Sequence, residues 1–448
     1  MTTAKLRFAP SPTGFLHLGN ARMAVFNYLY AKQLKGEYIL RIDDTDLNRV
    51  KDEYIVALKE DLNWLGLTWE HEFRQSDRLA FYNEMLQKLI TEGKVYPCYE
   101  TPEELDYKKK MLLAKGKAPI YDRAMMNLPQ KEIARYQKEG RKPHYRLAID
   151  YSTITWEDKI KGNISFLGNN ISDPILVRAD GTFLYILTSV LDDIDSQITH
   201  IIRGEDHITN TAIQIQLFHY LKSTIPTFAH LPLITTMQGE GFSKRNASLS
   251  LRNLKKQAIQ PMAINNYLYN LGLGEQNIVY ESLEDITKVF SLEKYSTATA
   301  KFDEAKLYKL NLHWLQNMEN SKLIALVKNL LNIEITNNFW EHIKHNIKTF
   351  QDITVWYNIC YGEITTSSNN KELLQVALAN LPQDTWQENT WQQWLEAIKT
   401  HSNLKNKEIF KPLRMAISGM EEGPELKELI LLIGKEKIIT RLQKILDA

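Results

Sequence analysis

The apolar positions near the start of the chain predict a strand, a helix and a second strand, in that order. Residues 6–9, with the sequence LRFA, are typical of the end of a buried strand, and Pro10 and Pro12 end it because proline fixes φ and has no N–H to donate to a sheet. From Asn20 onward the apolar residues recur with the period of a helix. They are Met23, Val25, Phe26, Leu29 and Tyr30. A second apolar run at 36–42 completes a β–α–β start, which is typical of an α/β sheet.

Farther along, the pattern predicts helices, then short strands, then helices again. We expect one helix over residues 52–65 and another that a Ser76 cap begins and Gly93 ends. Between 145 and 178, short β segments alternate with turns rich in glycine and asparagine. After Leu254 the periodicity is almost wholly helical. The chain is therefore expected to have an α/β part followed by a helical part.

The composition is that of a globular chain. Its 448 residues, 44% of them hydrophobic, suffice for about two to four domains. There is no apolar run long enough to span a bilayer and no signal-like segment at the N-terminus, so we expect a cytoplasmic protein without a membrane segment. Two distant cysteines, Cys98 and Cys360, fit a reduced compartment. A net charge of +1 gives no global sign of nucleic-acid binding.

The turn between the first strand and the first helix carries groups that suit an anion. His17 and Gly19 immediately precede the predicted helix, at the carboxyl end of the strand. Helix N-termini at that edge of a sheet present backbone N–H groups to phosphates, and Gly19 permits a close approach. A histidine and a glycine at this spacing also suit an ordinary structural turn. On these residues alone, both interpretations stay open.

Charged residues follow two further strands. Asp43, Asp44 and Asp46 come after the second strand and could form either a solvated turn or a metal site. Arg203 lies in a second cluster, with the sequence THIIRGEDH. Its planar guanidinium could bind the carboxylate of a substrate bidentately.

The alternative for Arg203 is an internal ion pair. Asp192, Asp193 and Asp206 are the carboxylates that we consider as its partners. The position at the ligand-binding edge of the sheet favours the substrate role.

Two runs near the N-terminus resemble motifs of the class I aminoacyl-tRNA synthetases in their glutamyl form. The first is RFAPSPTGFLHLGN at 7–20, which is similar to the family's HIGH-containing motif with Asn20 in place of the often replaced second histidine. The second is RIDDTD at 41–46, which is similar to RIEDTD with Asp43 for the commoner glutamate. The aspartate keeps the charge but is one carbon shorter.

Four later runs extend the resemblance along the chain. FLYILTSVLDD at 183–193 is similar to TYxxAxxVDD, with Ser189 where many relatives have asparagine. THIIRGEDH is similar to the family's HVIRGEDH, and GEGFSKR at 239–245 to its mobile KMSKS loop. The run KPLRMAISGMEEGPEL at 411–426 resembles PLRxALTGxxxGP of bacterial anticodon-binding domains.

The resemblance implies an α/β fold class: a Rossmann-type parallel sheet with an inserted acceptor-binding domain, followed by an all-helical C-terminal anticodon-binding part. The Rossmann catalytic domain would comprise 1–66 and 183–238, and the inserted tRNA acceptor-binding domain 67–182. Residues 239–319 would form a stem-contact domain with the KMSKS-like loop. Residues 320–448 would form the helical anticodon-binding region.

The resemblance also implies roles for individual residues. The catalytic residues would be His17, Lys244 and Arg245. Those that bind ATP would be Thr13, Gly19, Asn20, Gly204, Glu205, Ser243 and Lys244. Those that bind glutamate would be Arg7, Ala9, Ser11, Asp43, Tyr185 and Arg203. Among the last set, Asp43 would receive the α-ammonium of the substrate and Arg203 its side-chain carboxylate.

The implied cofactors are ATP and Mg²⁺, without zinc. Many bacterial relatives have C-x-C where this chain has Cys98 and Glu100, and further zinc ligands where it has 121–123, with the sequence YDR. A structural zinc site needs four cysteine or histidine ligands, so we predict none and expect Cys98 to be a small buried hydrophobe.

The implied partners are tRNA, L-glutamate and ATP, and we expect a monomer. Residues 101–146 hold twelve lysines and arginines against six acidic residues, a local charge of +6. Charge alone fits a solvated face as well as phosphate contact, but an insertion in a nucleotide-binding sheet favours contact with the tRNA acceptor end. From 320 onward acidic and basic residues balance, so no basic stripe is visible.

The function implied is ATP-dependent ligation of glutamate to the 3′ end of tRNA-Glu through a glutamyl-adenylate. Two alternatives remain beside it. One is glutamylation of tRNA-Gln, alone or in addition, because GEGFSKRNASLSLR departs from the commonest form of the loop. The other is a catalytically inactive tRNA-binding paralogue, against which His17, Lys244 and Arg203 argue. A glutaminyl-tRNA synthetase is disfavoured by the helical tail, and a glutamyl-queuosine enzyme by the presence of any such tail.

Overall fold

The computed structural model describes residues 3–46, 49–239, 250–274, 278–368, 370–402 and 404–447. The chain forms two compact units. The first comprises Met1–Leu254 and Pro261–Asp303, and the second Lys255–Gln260 and Glu304–Ala448. Within the described ranges, every helix is too short or too polar to cross a membrane.

The strands that the structure describes all precede residue 304. They are β1 (Lys5–Phe8), β2 (Glu37–Ile42), β3 (His71–Arg74), β4 (Val95–Cys98), β5 (His144–Leu147), β6 (Thr153–Asp158), β7 (Gly162–Leu167), β8 (Ile175–Val177), β9 (His200–Gly204), β10 (Thr227–Leu231), β11 (Ile234–Thr235) and β12 (Ala300–Lys301). The helices before residue 304 are α1 (Leu18–Gln33), α2 (Asp52–Trp64), α3 (Leu79–Thr91), α4 (Pro102–Ala114), α5 (Gln130–Lys138), α6 (Tyr185–Asp195), α7 (Ile208–Tyr220), α8 (Leu251–Lys256), α9 (Pro261–Asn270) and α10 (Leu283–Val289).

Two sheets with parallel strands, which adjoin at β1 and β9, organise the first unit. Strands β3, β2 and β1 pair in parallel in that order, and β9, β10 and β6 do the same, with β7 antiparallel at the edge. The amino ends of β1 and β9 lie side by side, because the amide of Thr199 donates to the carbonyl of Lys5 at 3.0 Å. Ligands bind at such a switch point, beyond the carboxyl ends of the two strands. The α/β fold class is thus confirmed.

The first β–α unit forms as the apolar pattern predicts. Leu6 and Phe8 of β1 are buried, as are Val25, Phe26 and Leu29 of α1. The helix begins at Leu18, two residues before its predicted start. Its N-terminus therefore follows directly on His17, at the carboxyl edge of the sheet.

A small antiparallel sheet is inserted between β3 and β9, in the strand order β4-β5-β8. The predicted cap of the helix before it is wrong. Ser76 lies in a 3₁₀ turn, and the helix begins at Leu79 after Arg78, which makes no capping bond. The amide and hydroxyl of Ser76 both donate to Asp44, each at 2.8 Å. A long-range bond to a buried carboxylate thus outweighs the local capping preference.

The second unit is helical. Its helices after residue 303 are α11 (Glu304–Gln316), α12 (Asn320–Leu331), α13 (Asn337–Ile343), α14 (Asp352–Tyr361), α15 (Lys371–Ala379), α16 (Thr390–Ser402), α17 (Asn406–Ser418), α18 (Leu426–Ile433) and α19 (Lys435–Asp447). Trp340 and Trp394 are fully buried in its core. Gly423, in the run after α17, has φ of +150° and packs on Trp356, where a Cβ would meet the indole at 2.1 Å. Packing alone therefore accounts for that glycine.

Candidate active site

The predicted site residues of the described ranges gather at the switch point. Arg7 and Ala9 lie at the end of β1, Asp43 follows β2, and Arg203 lies near the end of β9. A cleft at this edge of the sheet is lined by Ser11, Thr13, Asp43 and Tyr185, among others. Thr13 donates its amide to the carbonyl of Ser11 at 2.8 Å, which folds the segment after β1 into a tight turn.

His17 caps the first helix with its own ring. Its Nδ1 accepts from the amides of Gly19 at 3.1 Å and Asn20 at 3.3 Å. In the neutral ring the proton then resides on Nε2, the form that can donate to a phosphate oxygen. Gly19 is required at this turn, since a Cβ there would lie 2.9 Å from Cε1 of His17. The close approach expected at Gly19 is thus an approach of the imidazole itself.

A buried chain of alternating charges connects the ends of β1 and β2. Arg7 donates from Nε to Asp193 at 2.9 Å, and Arg41 donates from Nη1 to the same carboxylate at 2.7 Å. Arg41 also binds Asp43 through Nε at 2.7 Å and Nη2 at 3.2 Å. Each of these four side chains is at most 5% exposed. The two arginines thereby fix the position of Asp43 beside the cleft.

Burial and the neighbouring arginines act on the two carboxylates with different results. For Asp43, burial outweighs the attraction of Arg41 and raises the pKa to about 6. For Asp193, burial also acts to raise the pKa, but Arg7 and Arg41 together lower it below its ordinary value. Asp193 is therefore the fixed anion of the chain, while Asp43 titrates close to neutrality.

The three carboxylates after β2 do not converge as a metal site would require. Asp44 is fully buried and accepts from Arg74 at 2.8 Å as well as from Ser76. Asp43 is directed to Arg41 instead, as described above. In the described ranges, no group of three or more acidic, histidine or cysteine side chains is arranged to hold a metal.

Arg203 is a buried cation surrounded by neutral acceptors. Its side chain donates to the hydroxyl of Tyr185 at 2.8 Å, to Thr211 Oγ1 at 2.6 Å and to Gln214 Oε1 at 2.7 Å. The Nε atom donates to Nε2 of His230 at 3.3 Å. Only 6% of Arg203 is exposed, and burial lowers its pKa. In the described part of the chain it forms no ion pair with a carboxylate.

The internal ion pairs considered for Arg203 are not formed. Asp193 is bound by Arg7 and Arg41. Asp192 accepts from Gln75 at 2.7 Å, Arg78 at 2.8 Å and Tyr82 at 2.9 Å.

Asp206 lies 3.7 Å from the imidazole of His207. Each of the three carboxylates thus has a partner other than Arg203.

Sequence reasoning missed the residues that hold Arg203. Thr211 and Gln214 lie on α7, His230 on β10, and Asp158 on β6 contacts His230. Ser189, noted for replacing asparagine, accepts from Gln214 at 2.6 Å and so joins the same network. A histidine in an apolar strand, as in TFAHLPL, is the one signal that could have found part of it.

Glu205 does not present its carboxylate to the cleft. One oxygen accepts from the amide of Leu233 at 3.1 Å, and the other forms an ion pair with Lys161. Gly204 is tightly enclosed, since a Cβ there would lie 2.4 Å from Oδ1 of Asp206. Asn20 lies in the first turn of α1. Ser243, Lys244 and Arg245 lie outside the described residues.

Cys98 is buried as expected, but its neighbours are polar. Its thiol lies 3.5 Å from Oε2 of Glu100 and 3.4 Å from the hydroxyl of Tyr121. Tyr121 also donates to Glu100 at 2.6 Å, and Lys108 pairs with the other Glu100 oxygen at 2.5 Å. Burial raises the pKa of the thiol above its ordinary value.

Comparison with known proteins gives family matches over nearly the whole chain. A family model described as "tRNA synthetases class I (E and Q), catalytic domain" matches residues 3–309. A second, described as "Anticodon binding domain", matches residues 306–446.

Relatives and solved structures agree with these matches. The chain is 42% identical over 439 residues to glutamate–tRNA ligase 1 of Wolbachia pipientis from Culex pipiens, covering 98% of both chains. It is 43% identical over 445 residues to glutamate–tRNA ligase 1 of Rickettsia felis, covering 99% of both. A crystal structure of a glutamate–tRNA ligase from Elizabethkingia meningosepticum with its amino acid superposes with a TM-score of 0.85 over the full length of both, at 26% identity.

Proposed function

The chain belongs to the class I aminoacyl-tRNA synthetases, in the glutamate–tRNA ligase family, and we propose which of its residues carry out the reaction. In the first step, the α-carboxylate of glutamate attacks the α-phosphorus of ATP. A P–O bond forms, the bond to the leaving pyrophosphate breaks, and glutamyl-adenylate results. In the second step, a hydroxyl of the 3′-terminal adenosine of tRNA attacks the activated carbonyl, and AMP leaves. Positioning and charge stabilisation suffice for both steps.

One observation carries the assignment of the amino-acid site: the buried guanidinium of Arg203 has only neutral partners among the described residues. A substrate carboxylate would supply the missing charge, which the neutral amide of glutamine would not. Tyr185 borders the same position through its hydroxyl. We therefore assign the side-chain carboxylate of glutamate to Arg203 and Tyr185.

The α-ammonium of glutamate is assigned to Asp43. The carboxylate lines the cleft and is held by Arg41, so it can receive a cation without moving. Arg7, bound to Asp193 through Nε and Nη2, lies beside it with Ala9 and Ser11 in the turn after β1. These residues would orient the α-carboxylate for attack.

The phosphates of ATP are assigned to the N-terminus of α1. Backbone N–H groups and the helix dipole favour anions there, and a His17 ring with its proton on Nε2 could donate to them. Thr13, Gly19 and Asn20 would line the same position. Mg²⁺ accompanies ATP and would neutralise part of its charge.

The remaining ATP contacts have different support. Since the carboxylate of Glu205 is engaged by Lys161, we assign the contacts of Gly204 and Glu205 with ATP to their backbone. Ser243, Lys244 and Arg245 are assigned to the departing pyrophosphate from the sequence motif alone.

The inserted region is the proposed site of the tRNA acceptor end. Helices α4 and α5 have no buried residue, and α4 exposes Tyr107, with the exposed Lys110 three positions farther along the same helix. Exposed aromatic and basic side chains suit the bases and phosphates of a single-stranded 3′ end. The second unit, which contains the matched anticodon-binding region, would read the anticodon.

We propose a monomer that charges tRNA-Glu. No described contact and no relative named above favours tRNA-Gln as the substrate or an inactive paralogue. Aminoacylation of both purified tRNAs tests the first point: we expect kcat/KM for tRNA-Glu to be the higher by orders of magnitude. Comparable values would restore tRNA-Gln as a substrate. Sedimentation at micromolar concentration tests the oligomeric state.

The experiment that tests the site is ATP–pyrophosphate exchange, with and without tRNA, on the wild type and on Arg203→Gln. Since a hydrogen-bonded pair with a charged group contributes about 1.5–3 kcal/mol, the KM for glutamate should rise about 10- to 100-fold. The KM for ATP should stay within about threefold, which also controls for folding. An unchanged glutamate KM would remove Arg203 from the amino-acid site, and an absence of exchange with tRNA present would favour the inactive paralogue.

A further inference from the structure

The orientation of Arg203 depends on the neighbouring strand. In the parallel pairing of β9 with β10, His230 lies directly opposite Arg203. The guanidinium Nε–H points to Nε2 of His230 at 3.3 Å, while its two amino groups bind Tyr185, Thr211 and Gln214. His230 is fully buried, so this contact is shielded from water. The contact fixes the Nε edge of the guanidinium without supplying a countercharge.

The protonation state of His230 follows from its two neighbours. A guanidinium can only donate, so the Nε2 that faces Arg203 must carry the lone pair. The ring proton then resides on Nδ1, where it donates to Oδ2 of Asp158 at 2.5 Å. Thr211, 2.8 Å from the same Nε2, is a hydroxyl that can donate to it as well. Burial lowers the pKa of His230, in agreement with a neutral ring.

Asp158 is itself held in one orientation by the backbone. Its Oδ1 accepts from the amides of Ile160, Lys161 and His230, at 3.0, 3.0 and 3.1 Å. Only Oδ2 is left to face the imidazole. Burial acts to raise the pKa of Asp158, but these donors and His230 lower it overall, so the carboxylate stays ionised. Each hydrogen bond between these three residues therefore has one possible donor: Arg203 donates to His230, and His230 donates to Asp158.

We infer that Asp158 and His230 are positioning residues for the amino-acid site, which fix the tautomer and thereby the aim of Arg203 at the side-chain carboxylate of glutamate. This inference rests on the role proposed above for Arg203. Asp158 selects the Nδ1–H tautomer, and that tautomer is the one that accepts from Arg203. His230 also separates Asp158 from Arg203, which keeps the guanidinium without a countercharge until the substrate supplies one.

Two substitutions at position 230 separate the bond between His230 and Asp158 from the bond between His230 and Arg203. The amide of His230→Asn reaches about as far as Nδ1 and can still donate to Asp158, but it places no acceptor near Arg203. The amide of His230→Gln reaches about as far as Nε2 and can accept from Arg203. We expect His230→Asn to raise the KM for glutamate roughly tenfold or more, and His230→Gln to restore most of the loss. The KM for ATP should be unchanged in both.

A matched control is present in the inserted sheet. There Arg146 donates from Nε to Nε2 of His144 at 3.2 Å, and His144 is also buried. His144→Asn therefore breaks the same kind of pair in another sheet. We expect it to leave the KM for glutamate unchanged, which separates the effect at 230 from a general loss of packing.

Asp158→Asn tests the tautomer directly. Because three backbone amides hold Oδ1, the new side chain would keep its oxygen there and place its NH₂ group where Oδ2 faces His230. The ring would then shift its proton to Nε2, opposite a second donor. Imidazole ¹⁵N shifts, assigned to His230 by the His230→Gln variant, should report Nδ1–H in the wild type and Nε2–H in Asp158→Asn. The glutamate KM should rise with the change.

The outcomes distinguish this inference from the proposed function. A wild-type His230 protonated on Nε2 would overturn it, and so would a His230→Asn variant whose glutamate KM is unchanged while Arg203→Gln raises it. Equal losses in His230→Asn and His230→Gln would reduce His230 to a packing residue. If Arg203→Gln itself has no effect, the role of Arg203 fails and this inference fails with it.

Discussion

Arg41 binds Asp43 with both Nε and Nη2, at 2.7 and 3.2 Å, although the two residues are only two positions apart. The pair is formed where β2 ends, so the aspartate turns back onto its own strand. Despite this bidentate contact, burial raises the pKa of Asp43 to about 6. In the free enzyme the ionised form of Asp43 is therefore destabilised by burial. A bound ammonium group would stabilise that form.

The first prediction concerns the stability of Asp43→Asn. A carboxyl whose pKa is higher in the folded than in the unfolded state adds stability below its unfolded pKa, and that contribution is lost as pH rises through about 6. The free energy of unfolding of the variant, relative to that of the wild type, should therefore rise by about 2 kcal/mol between pH 4 and pH 7. Urea unfolding of both proteins at the two pH values measures it. A difference that is constant with pH would contradict the raised pKa.

The second prediction concerns the use of glutamate as a function of pH. Below about pH 6 Asp43 becomes protonated and no longer attracts the α-ammonium, so the KM for glutamate should rise there while the KM for ATP does not. Pyrophosphate exchange across this range provides both values. In Asp43→Asn the glutamate KM should be high at every pH. A wild-type KM for glutamate that does not change through pH 6 would mean that Asp43 does not bind the substrate.

The third prediction concerns Gly19→Ala. A Cβ at position 19 would lie 2.9 Å from Cε1 and 3.0 Å from Nδ1 of His17, so the ring must leave its place over the helix N-terminus. The lost cap should cost about 1 kcal/mol, and removing a donor aimed at developing charge should lower the rate of pyrophosphate exchange about 10²-fold or more.

Gly14→Ala is the control for the third prediction. It lies in the same turn, but a Cβ there meets no protein atom within 4 Å. We expect its thermal stability to match that of the wild type. If Gly19→Ala exchanges pyrophosphate as fast as the wild type does, His17 has no role in adenylate formation.

The sequence predicted the groups at the strand ends better than it predicted their partners. Arg7, Asp43 and Arg203 lie in or directly after strands that end at prolines, carboxylates or glycine, and such local patterns survive folding. The register of β9 against β10 is not visible in either strand alone, so the pairing of Arg203 with His230 could not be foreseen. For the same reason the alternative ion pairs of Arg203 stayed open until the structure gave each aspartate another partner.

At Ser76, too, a long-range contact decided the outcome, because it outweighed the local preference for a helix cap. A serine before an apolar periodic run favours a helix start. Here Asp44, 32 positions away, takes both its amide and its hydroxyl, and the helix begins later. A local rule is overridden where a buried carboxylate needs donors.

The fourth prediction concerns zinc. The thiol of Cys98 has a raised pKa, which disfavours the thiolate that binds metals, and the oxygens of Glu100 already accept from Tyr121 and Lys108. The side chains of Cys98 and Glu100 therefore do not suit a structural zinc site. Elemental analysis of protein purified without chelator should therefore find far less than one zinc per chain. A stoichiometric zinc atom would contradict this prediction.

The last prediction is that Lys108 stabilises the segment that contains Glu100 and Asp122. Its ammonium joins Glu100, whose side chain is 5% exposed, to Asp122. Lys108→Ala would leave the Glu100 carboxylate buried without its cation, and since Lys108 is itself one-third exposed we expect a loss of about 1–2 kcal/mol rather than the full cost of a buried pair. Lys110, on the same helix, pairs with Asp106 in solvent, so Lys110→Ala should hardly change the urea midpoint. Equal midpoints for the two variants would mean that the Glu100 pair contributes no more than a surface contact.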